Sequence, residues 1–362
     1  MTAGPVLEVQ GLTKLYRYAG GGWFGRRRAG VFRAVSDVSF SVARGETLGI
    51  VGESGSGKST VARMMLRLVE PTAGRVLLNG EELTGVPADQ LWRRRRKIQM
   101  VFQDPFASLN PRLSIAYHLR EPLIVHGLSS GSEAQARVLE MLERVGLTER
   151  HARSYPHALS GGQRQRIAIA RALAVEPDVL VADEPVSSLD VSVQAQILNL
   201  LRDIRRSTQL SMVFISHDLG VVRHVADRVA VMYRGRIVEL GPASAVFDTP
   251  RHPYTRALLD AIPIPRPGAR SRRASPATAT PAGATPAAEG GGCAFAPRCA
   301  LAGAQCLEET PALADVGHGH RSACFRADAV TPPVVVRPEE TEATRRLRRL
   351  QSRFVTSIAD AA

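Results

Sequence analysis

The sequence predicts an α/β fold, with a largely parallel sheet covered by helices, an inserted helical subdomain and a small N-terminal antiparallel β subdomain. Three observations lead to this prediction. The apolar strand Leu48–Val51 runs directly into a glycine-rich loop and then a helix. Apolar strand patterns alternate with helical ones after residue 178, which is typical of a parallel sheet. Strand patterns are missing between residues 105 and 173, which indicates a helical insertion.

The first eighty residues have the patterns of a small antiparallel sheet. Val6–Gln10 alternates between apolar and polar residues and predicts an edge strand. Val38–Val42 alternates in the same way and turns at Arg44 and Gly45 into the central strand. Val76–Leu78 followed by Asn79 and Gly80 predicts a further strand and a turn.

The remaining elements follow in order along the chain. Helices are predicted from apolar periodicity and strands from short apolar runs bounded by turn residues. The predicted helices cover Val61–Val69, Leu91–Lys97, Glu133–Val145 and Arg164–Ala174. The predicted strands cover Ile98–Phe102, Val179–Ala182, Met212–Ile215 and Val229–Met232.

Composition divides the 362 residues into four parts. Residues 1–262 are predicted to form one α/β domain, with the helical subdomain over about 105–173. Residues 263–292 are rich in Pro, Ala, Gly, Ser and Thr, which predicts a flexible linker. A cysteine-bearing segment at 293–326 follows. The basic tail 327–362 has apolar residues at helical spacing, so it could bind a membrane surface or a partner, although a loosely docked tail helix is favoured.

The net charge of +13 limits the classes of partner. Such a charge suits nucleic acid or an anionic membrane surface. The arginines are clustered, for example at 26–28, 93–96 and 270–273, and solvated loops and tails explain most of this charge, so a nucleic-acid partner is not favoured. No apolar run of about 18 residues occurs, and no signal peptide is visible, so we expect a cytoplasmic chain.

The loop after the central strand has the composition of a phosphate-binding site. Gly52–Ser59 matches the pattern G-x-x-x-x-G-K-[ST] between a strand and a helix, and this context predicts a P-loop NTPase (RecA-like) core. Backbone N–H groups and the helix N-terminus would bind the phosphates of ATP, Lys58 would neutralise their charge, and the Ser59 hydroxyl would ligate Mg²⁺. The predicted nucleotide-binding residues are Gly52, Ser54, Gly55, Ser56, Gly57, Lys58, Ser59 and Thr60.

Polar residues at three other strand ends complete the predicted catalytic site. Asp183 and Glu184 follow Val179–Ala182, where α/β sheets place ligands. We expect Asp183 to hold Mg²⁺ and Glu184 to deprotonate the attacking water. Gln103 could contact Mg²⁺ or that water, and His217 could hydrogen-bond the γ-phosphate.

A second anion-binding candidate lies about a hundred residues further on. Ser160, Gly161, Gly162 and Gln163 precede a helix, with Ser160 as a good N-cap and two glycines that leave backbone N–H groups open. By itself this pattern also fits a capped helix without a ligand. Tyr16 could stack on adenine, with Tyr18 as its rival.

The four cysteines all lie in the C-terminal segment. Cys293, Cys299, Cys306 and Cys324 could bind Zn²⁺ or an iron–sulfur cluster as four thiolates. Their spacing lacks the close C-x₂-C pairs of common zinc modules. Reduced or disulfide-bonded structural thiols are the remaining alternative.

Taken together, these motifs resemble the ATPase subunits of ABC transporters over residues 5–260. The similar segments are Walker A at Gly52–Thr60, the Q-loop at Gln103, the signature at Leu159–Gln163, Walker B at Val179–Glu184, the D-loop at Ser188–Asp190 and the H-loop at His217. The subgroup most similar to this chain is the dipeptide and oligopeptide importers. The segments that carry this narrower resemblance are Val101–Arg112, Tyr155–His157, Asp190–Val193, Arg251–Tyr254 and the cysteine segment. Gly162–Ile167 resembles the second of two ATPase partner types.

The resemblance implies partners and site roles that the residues alone do not give. Two ATPase subunits, identical or different, would close head to tail on ATP, with Ser160–Gln163 serving the γ-phosphate bound by the opposing subunit. The resemblance also implies that Asp190 is a nucleotide-binding residue. Two membrane permease subunits and an extracytoplasmic solute-binding protein would complete the importer, so the chain would lie peripherally on the cytoplasmic face of the membrane. A [4Fe–4S] cluster on the four cysteines is the favoured implication.

Other functions stay open at this point. The ATPase could drive a nickel or other small-solute importer, because these share the motif pattern. It could also be a soluble ABC-type ATPase that acts on nucleic acid or ribosomes. Such proteins often fuse two ATPase domains or insert a coiled coil, and this sequence does neither.

Overall fold

The computed structural model describes residues 4–18, 30–262 and 291–333. The predicted linker, apart from its last two residues, and most of the predicted tail lie outside these ranges. The strands β1–β12 are, in order, Leu7–Tyr18, Gly30–Val42, Thr47–Val51, Ala73–Leu78, Glu81–Glu82, Ile98–Val101, Val179–Asp183, Ser211–Ser216, Arg228–Tyr233, Arg236–Pro242, Ala314–Gly317 and His320–Ser322. The helices α1–α11 are, in order, Lys58–Met65, Ala88–Arg95, Pro105–Ser108, Ile115–Val125, Gly131–Arg144, Gly161–Leu173, Val191–Thr208, Leu219–Val225, Ala243–Asp248, Pro253–Asp260 and Ala304–Glu308.

The main sheet has eight strands in the order β11-β12-β10-β9-β3-β8-β7-β6. Its five strands from β9 to β6 are parallel, and β10, β12 and β11 add an antiparallel edge. The central strands β3, β7 and β8 are buried along their whole length, as expected for a sheet covered on both faces. The carboxyl ends of β3, β6, β7 and β8 therefore meet at one edge, where the predicted site residues follow.

The second sheet is antiparallel, in the order β2-β1-β4-β5. The prediction that the first strand lies at an edge is wrong. Leu7 pairs with Val42 of β2 on one side and with Leu78 of β4 on the other. Sequence alternation reports which face of a strand is buried, and it contains no information on whether both strand edges find partners.

The chain between β6 and β7 is helical, with α3 to α6 and two short 3₁₀ segments. These helices have their own apolar core, which includes Leu119 from α4, Val138 from α5 and Ile167 from α6. The predicted α/β class with an inserted helical subdomain is confirmed in its main features. Among the described residues, none of the helices is both long enough and apolar enough to cross a membrane.

Candidate functional site

The glycine-rich loop leaves the end of β3 and is packed so closely that only glycine fits at two positions. A Cβ atom at Gly52 would lie 2.2 Å from the Met232 carbonyl oxygen, and one at Gly57 would lie 2.6 Å from the Ala34 carbonyl oxygen. Gly57 also has a φ of 101° and forms the N-cap of α1. No side chain caps this helix, so its first N–H groups are available to an anion, as a phosphate-binding loop requires.

Lys58 lies inside this loop and is 4% exposed. Its Nζ donates to the Gly52 carbonyl at 2.8 Å and to the Glu53 carbonyl at 2.9 Å. Burial lowers the pKa of the Lys58 ammonium, and the carboxylates of Glu184, Asp183 and Glu53 oppose that shift. A desolvated cation held by weak carbonyl acceptors is well suited to bind a phosphate oxygen.

Asp183, at the end of β7, pairs with the first turn of α1. The Ser59 hydroxyl donates to Asp183 Oδ1 at 3.0 Å, and the carboxyl is 3% exposed. Burial raises the pKa of Asp183, and the Ser59 hydrogen bond partly offsets this effect. A carboxylate and a hydroxyl side by side are oxygen ligands of the kind that Mg²⁺ prefers, so these residues fit the ion.

Glu184 is held between two other strand ends. Gln103 Nε2 donates to Glu184 Oε2 at 3.0 Å, and His217 Nδ1 lies 3.3 Å from Glu184 Oε1. The backbone of Glu184 has a φ of 48°, which is uncommon for a residue other than glycine. Such strain is found at functional positions, and here it directs the carboxylate toward the residues after β6 and β8.

The structure thus brings one group of the predicted residues together. The charge of the loop lysine interacts with the two carboxylates. One carboxylate accepts a hydrogen bond from the serine hydroxyl, and the other contacts the glutamine amide and the histidine imidazole. The members of this group are Lys58, Ser59, Asp183, Glu184, Gln103 and His217.

Ser160, Gly161, Gly162 and Gln163 lie elsewhere, at the N-terminus of α6. Ser160 Oγ accepts from the Gln163 N–H and Gln163 Oε1 accepts from the Ser160 N–H, which forms a capping box. A Cβ atom at Gly162 would lie 2.4 Å from Val193 of α7, so this helix end packs against the start of α7.

Asp190 and Tyr16 occupy exposed positions. Asp190 is the N-cap residue of α7, and its side chain makes no capping hydrogen bond. Val191 beside it is 83% exposed. Tyr16 lies on β1 opposite Phe32, with Lys14 Nζ 5.2 Å from its ring centroid. Its stacking on adenine stays a prediction.

The cysteines require a correction. All four are free and line a cavity of about 20 Å³. Within the described ranges, no group of three or more His, Cys, Asp or Glu side chains has an arrangement that could hold a metal ion. Burial raises the pKa of the Cys299 thiol and raises that of Cys324 to about 11, so without a bound metal both thiols are protonated at neutral pH. The residues as placed therefore do not fit the expected [4Fe–4S] cluster, and they correspond to the reduced structural thiols.

Sequence reasoning missed two residues that contact the glycine-rich loop. The Tyr254 hydroxyl accepts a hydrogen bond from the Glu53 N–H at 2.9 Å. Arg298, in the cysteine-bearing segment, forms two hydrogen bonds to the Glu53 carboxylate. Arg298 lies 245 positions from Glu53, so no local pattern could have indicated their contact.

Comparisons with known proteins show which family this chain resembles. Residues 35–187 match the family described as ABC transporter, and residues 238–306 match the oligopeptide/dipeptide transporter C-terminal region. The chain is 50% identical over 319 residues to a probable peptide ABC transporter ATP-binding protein of Sinorhizobium fredii, which covers 88% of this chain and 89% of that protein. It is 52% identical over 263 residues to a glutathione import ATP-binding protein of Salmonella paratyphi A, which covers 73% of this chain and 42% of that protein.

A solved structure shows the same fold. This structure is the dimeric, post-hydrolysis state of an ATP-binding cassette bound to ADP and Pi, with a TM-score of 0.58 and 33% identity. The match covers 66% of this chain and 98% of that cassette. Fold and site together define an ATP-hydrolysing P-loop NTPase. More narrowly, the chain belongs to the ABC transporter family of ATP-binding proteins and carries the C-terminal region of its oligopeptide/dipeptide branch.

Proposed function

We propose that this chain couples ATP binding and hydrolysis to the uptake of dipeptides or oligopeptides across the cytoplasmic membrane. The observation that carries the proposal is the convergence of Lys58, Asp183 and Glu184 beside the glycine-rich loop. The match to the oligopeptide/dipeptide transporter C-terminal region and the names of the relatives support peptides as the solute. They favour this function over nickel import or action on nucleic acid and ribosomes.

Each residue of the converging group has a proposed role. Lys58 and the loop N–H groups bind the phosphates of ATP, and Ser59 with Asp183 holds Mg²⁺, which would neutralise charge on the phosphates. Glu184 accepts a proton from the attacking water, while Gln103 and His217 hold its carboxylate in position. The fold itself arranges these side chains, because they follow the ends of four adjacent strands of the main sheet.

Partners follow from the two separate anion-binding segments. Ser160–Gln163 packs against α7 rather than against the chain's own glycine-rich loop, so we assign it to the nucleotide of a second ATPase subunit. The exposed Asp190 and Val191 would lie at the same interface. Two permease subunits and an extracytoplasmic solute-binding protein would complete the importer. The chain would then act as a peripheral subunit on the cytoplasmic face of the membrane.

The substitution Glu184→Gln tests the catalytic assignment. Removal of a general base lowers turnover by about 10² to 10⁴-fold, so the purified complex should bind ATP with near-normal affinity and hydrolyse it at least about 10²-fold more slowly. Glu176→Gln is a matched control, because Glu176 has a similar backbone φ of 52° and is exposed. Turnover by Glu184→Gln equal to that of the control would contradict the assigned role.

A further inference from the structure

The glycine-rich loop contains one carboxylate that the proposed chemistry does not use. Glu53 directly follows Gly52, and its side chain is 42% exposed. Its backbone carbonyl accepts from Lys58 Nζ, so the residue belongs to the wall of the phosphate-binding loop. A negative charge at this position repels the triphosphate of ATP, although it also helps to keep the Lys58 ammonium charged.

The C-terminal segment places a cation on that carboxylate. Arg298 Nη1 and Nη2 donate to the two Glu53 oxygens at 3.1 Å and 3.0 Å, which is the two-pronged geometry of a strong arginine–carboxylate pair. The hydrogen bond to Glu53 is also the main cause of the raised pKa of Arg298. Arg298 is therefore a permanent positive charge at the loop.

An aromatic cluster fixes the arginine. Its guanidinium carbon lies 5.6 Å from the Phe295 ring centroid and 6.0 Å from that of Tyr233. The ring centroid of Tyr254 lies 4.5 Å from that of Tyr233. The Tyr254 hydroxyl accepts a hydrogen bond from the backbone N–H of Glu53. The loop residue is thus held at both its backbone and its side chain by groups from the C-terminal half of the chain.

We infer that Arg298 is a positioning residue for ATP binding, which fixes Glu53 and cancels its negative charge beside the triphosphate. This inference rests on the proposed role of the loop as the phosphate site. It gives the C-terminal segment a direct function in the ATPase: a residue contributed from beyond the linker completes the electrostatics of the glycine-rich loop.

Removal of both charges by double substitution separates this role from a structural one. In the full-length protein, Arg298→Ala should weaken Mg·ATP binding about two- to tenfold, because it leaves Glu53 uncompensated. The additional substitution Glu53→Gln removes the repulsive charge, so Glu53→Gln/Arg298→Ala should bind ATP within about twofold of the parent. Arg298→Lys should fall in between, because it keeps the charge without the two-pronged geometry.

Equilibrium titration with Mg·ATP at two salt concentrations provides the measurement, and thermal unfolding checks that each variant is folded. The defect of Arg298→Ala should shrink at high salt, because the repulsion is partly exposed to solvent. Arg223→Ala is the control, since Arg223 also combines an ion pair, to Asp248 at 2.9 Å, with an aromatic contact, to Phe247. Its affinity for ATP should equal that of the parent.

Two results would overturn the inference. One is parental ATP affinity in Arg298→Ala, and the other is a double variant as weak as Arg298→Ala alone. If Arg298→Ala does not fold, Arg298→Lys takes its place, and the added substitution Glu53→Gln should restore the ATP affinity that Arg298→Lys lowers. A parent protein that does not bind ATP would instead refute the proposed function.

Discussion

A buried imidazole–carboxylate pair attaches the C-terminal hairpin to the main sheet, and His320→Ala should detach it. His320 Nε2 lies 2.7 Å from Glu239 Oε1, and the two side chains are 5% and 0% exposed. The carboxylate also accepts the backbone N–H groups of Arg251 at 2.6 Å and His252 at 3.0 Å. Strand β12, which begins at His320, pairs with β10 next to this site.

The cost of the substitution can be estimated from these contacts. A hydrogen bond to a charged group contributes about 1.5–3 kcal/mol, and the imidazole packs on Gly241, where it leaves a cavity when removed. The two remaining N–H donors keep the Glu239 charge partly compensated. The loss should therefore stay near 2–3 kcal/mol, below the roughly 3–5 kcal/mol of a buried charge with no partner.

Urea unfolding followed by circular dichroism measures the free energy of unfolding, and hydrogen exchange of the β11–β12 amides reports the local detachment. Arg321→Ala is the control on the same hairpin, since this exposed side chain donates to the Leu313 carbonyl at 3.1 Å. Its effect should stay within about 1 kcal/mol. A loss below about 0.5 kcal/mol for His320→Ala, with unchanged hairpin exchange, would refute the reasoning.

Two further predictions concern buried titratable groups. Burial raises the pKa of Asp183. The carboxyl group therefore contributes to stability at low pH, and this contribution is lost as the pH rises through the pKa of Asp183 in the folded state. At neutral pH, Asp183→Asn should therefore increase the free energy of unfolding by about 1 kcal/mol, which raises the melting temperature. The same substitution should lower Mg²⁺-dependent ATP hydrolysis. A lower melting temperature would contradict this. Burial lowers the pKa of His252 from 6.5 to about 4, so its contribution is present above pH 6.5 and is lost as pH falls toward 4. Between pH 6.5 and 4, the free energy of unfolding should fall by about 3 kcal/mol less in His252→Gln than in the parent protein. An unchanged slope of this free energy against pH would contradict the prediction.

The sequence predicts well whatever depends on neighbouring residues. The strand–loop–helix at Gly52–Ser59 follows from a buried strand, glycines that tolerate close packing, and a helix with no side-chain cap. The positions of Asp183 and His217 follow from the ends of apolar strands, because parallel strands end at the same edge. The contact of Glu184 with both Gln103 and His217 is a consequence of that shared edge.

What the sequence could not predict depends on contacts between distant residues. The cysteine spacing is compatible with a cluster, yet the thiol positions depend on how the segment packs around Phe295 and His252. Strands β11 and β12 are short and partly polar, so they have no alternation by which a strand could be recognised.

The C-terminal segment does more than extend the chain. Strand β12 covers β10, whose residues from Ile237 to Gly241 are buried, and His320 Nε2 lies 2.7 Å from the carboxylate that β10 buries. The same segment then supplies Arg298 to the glycine-rich loop. A bare β10 would present an apolar edge and would leave Glu239 with the N–H groups of Arg251 and His252 as partners, so the segment stabilises this edge of the sheet. A displacement of the segment would therefore reach the phosphate site through Glu53, without any change in the catalytic side chains themselves.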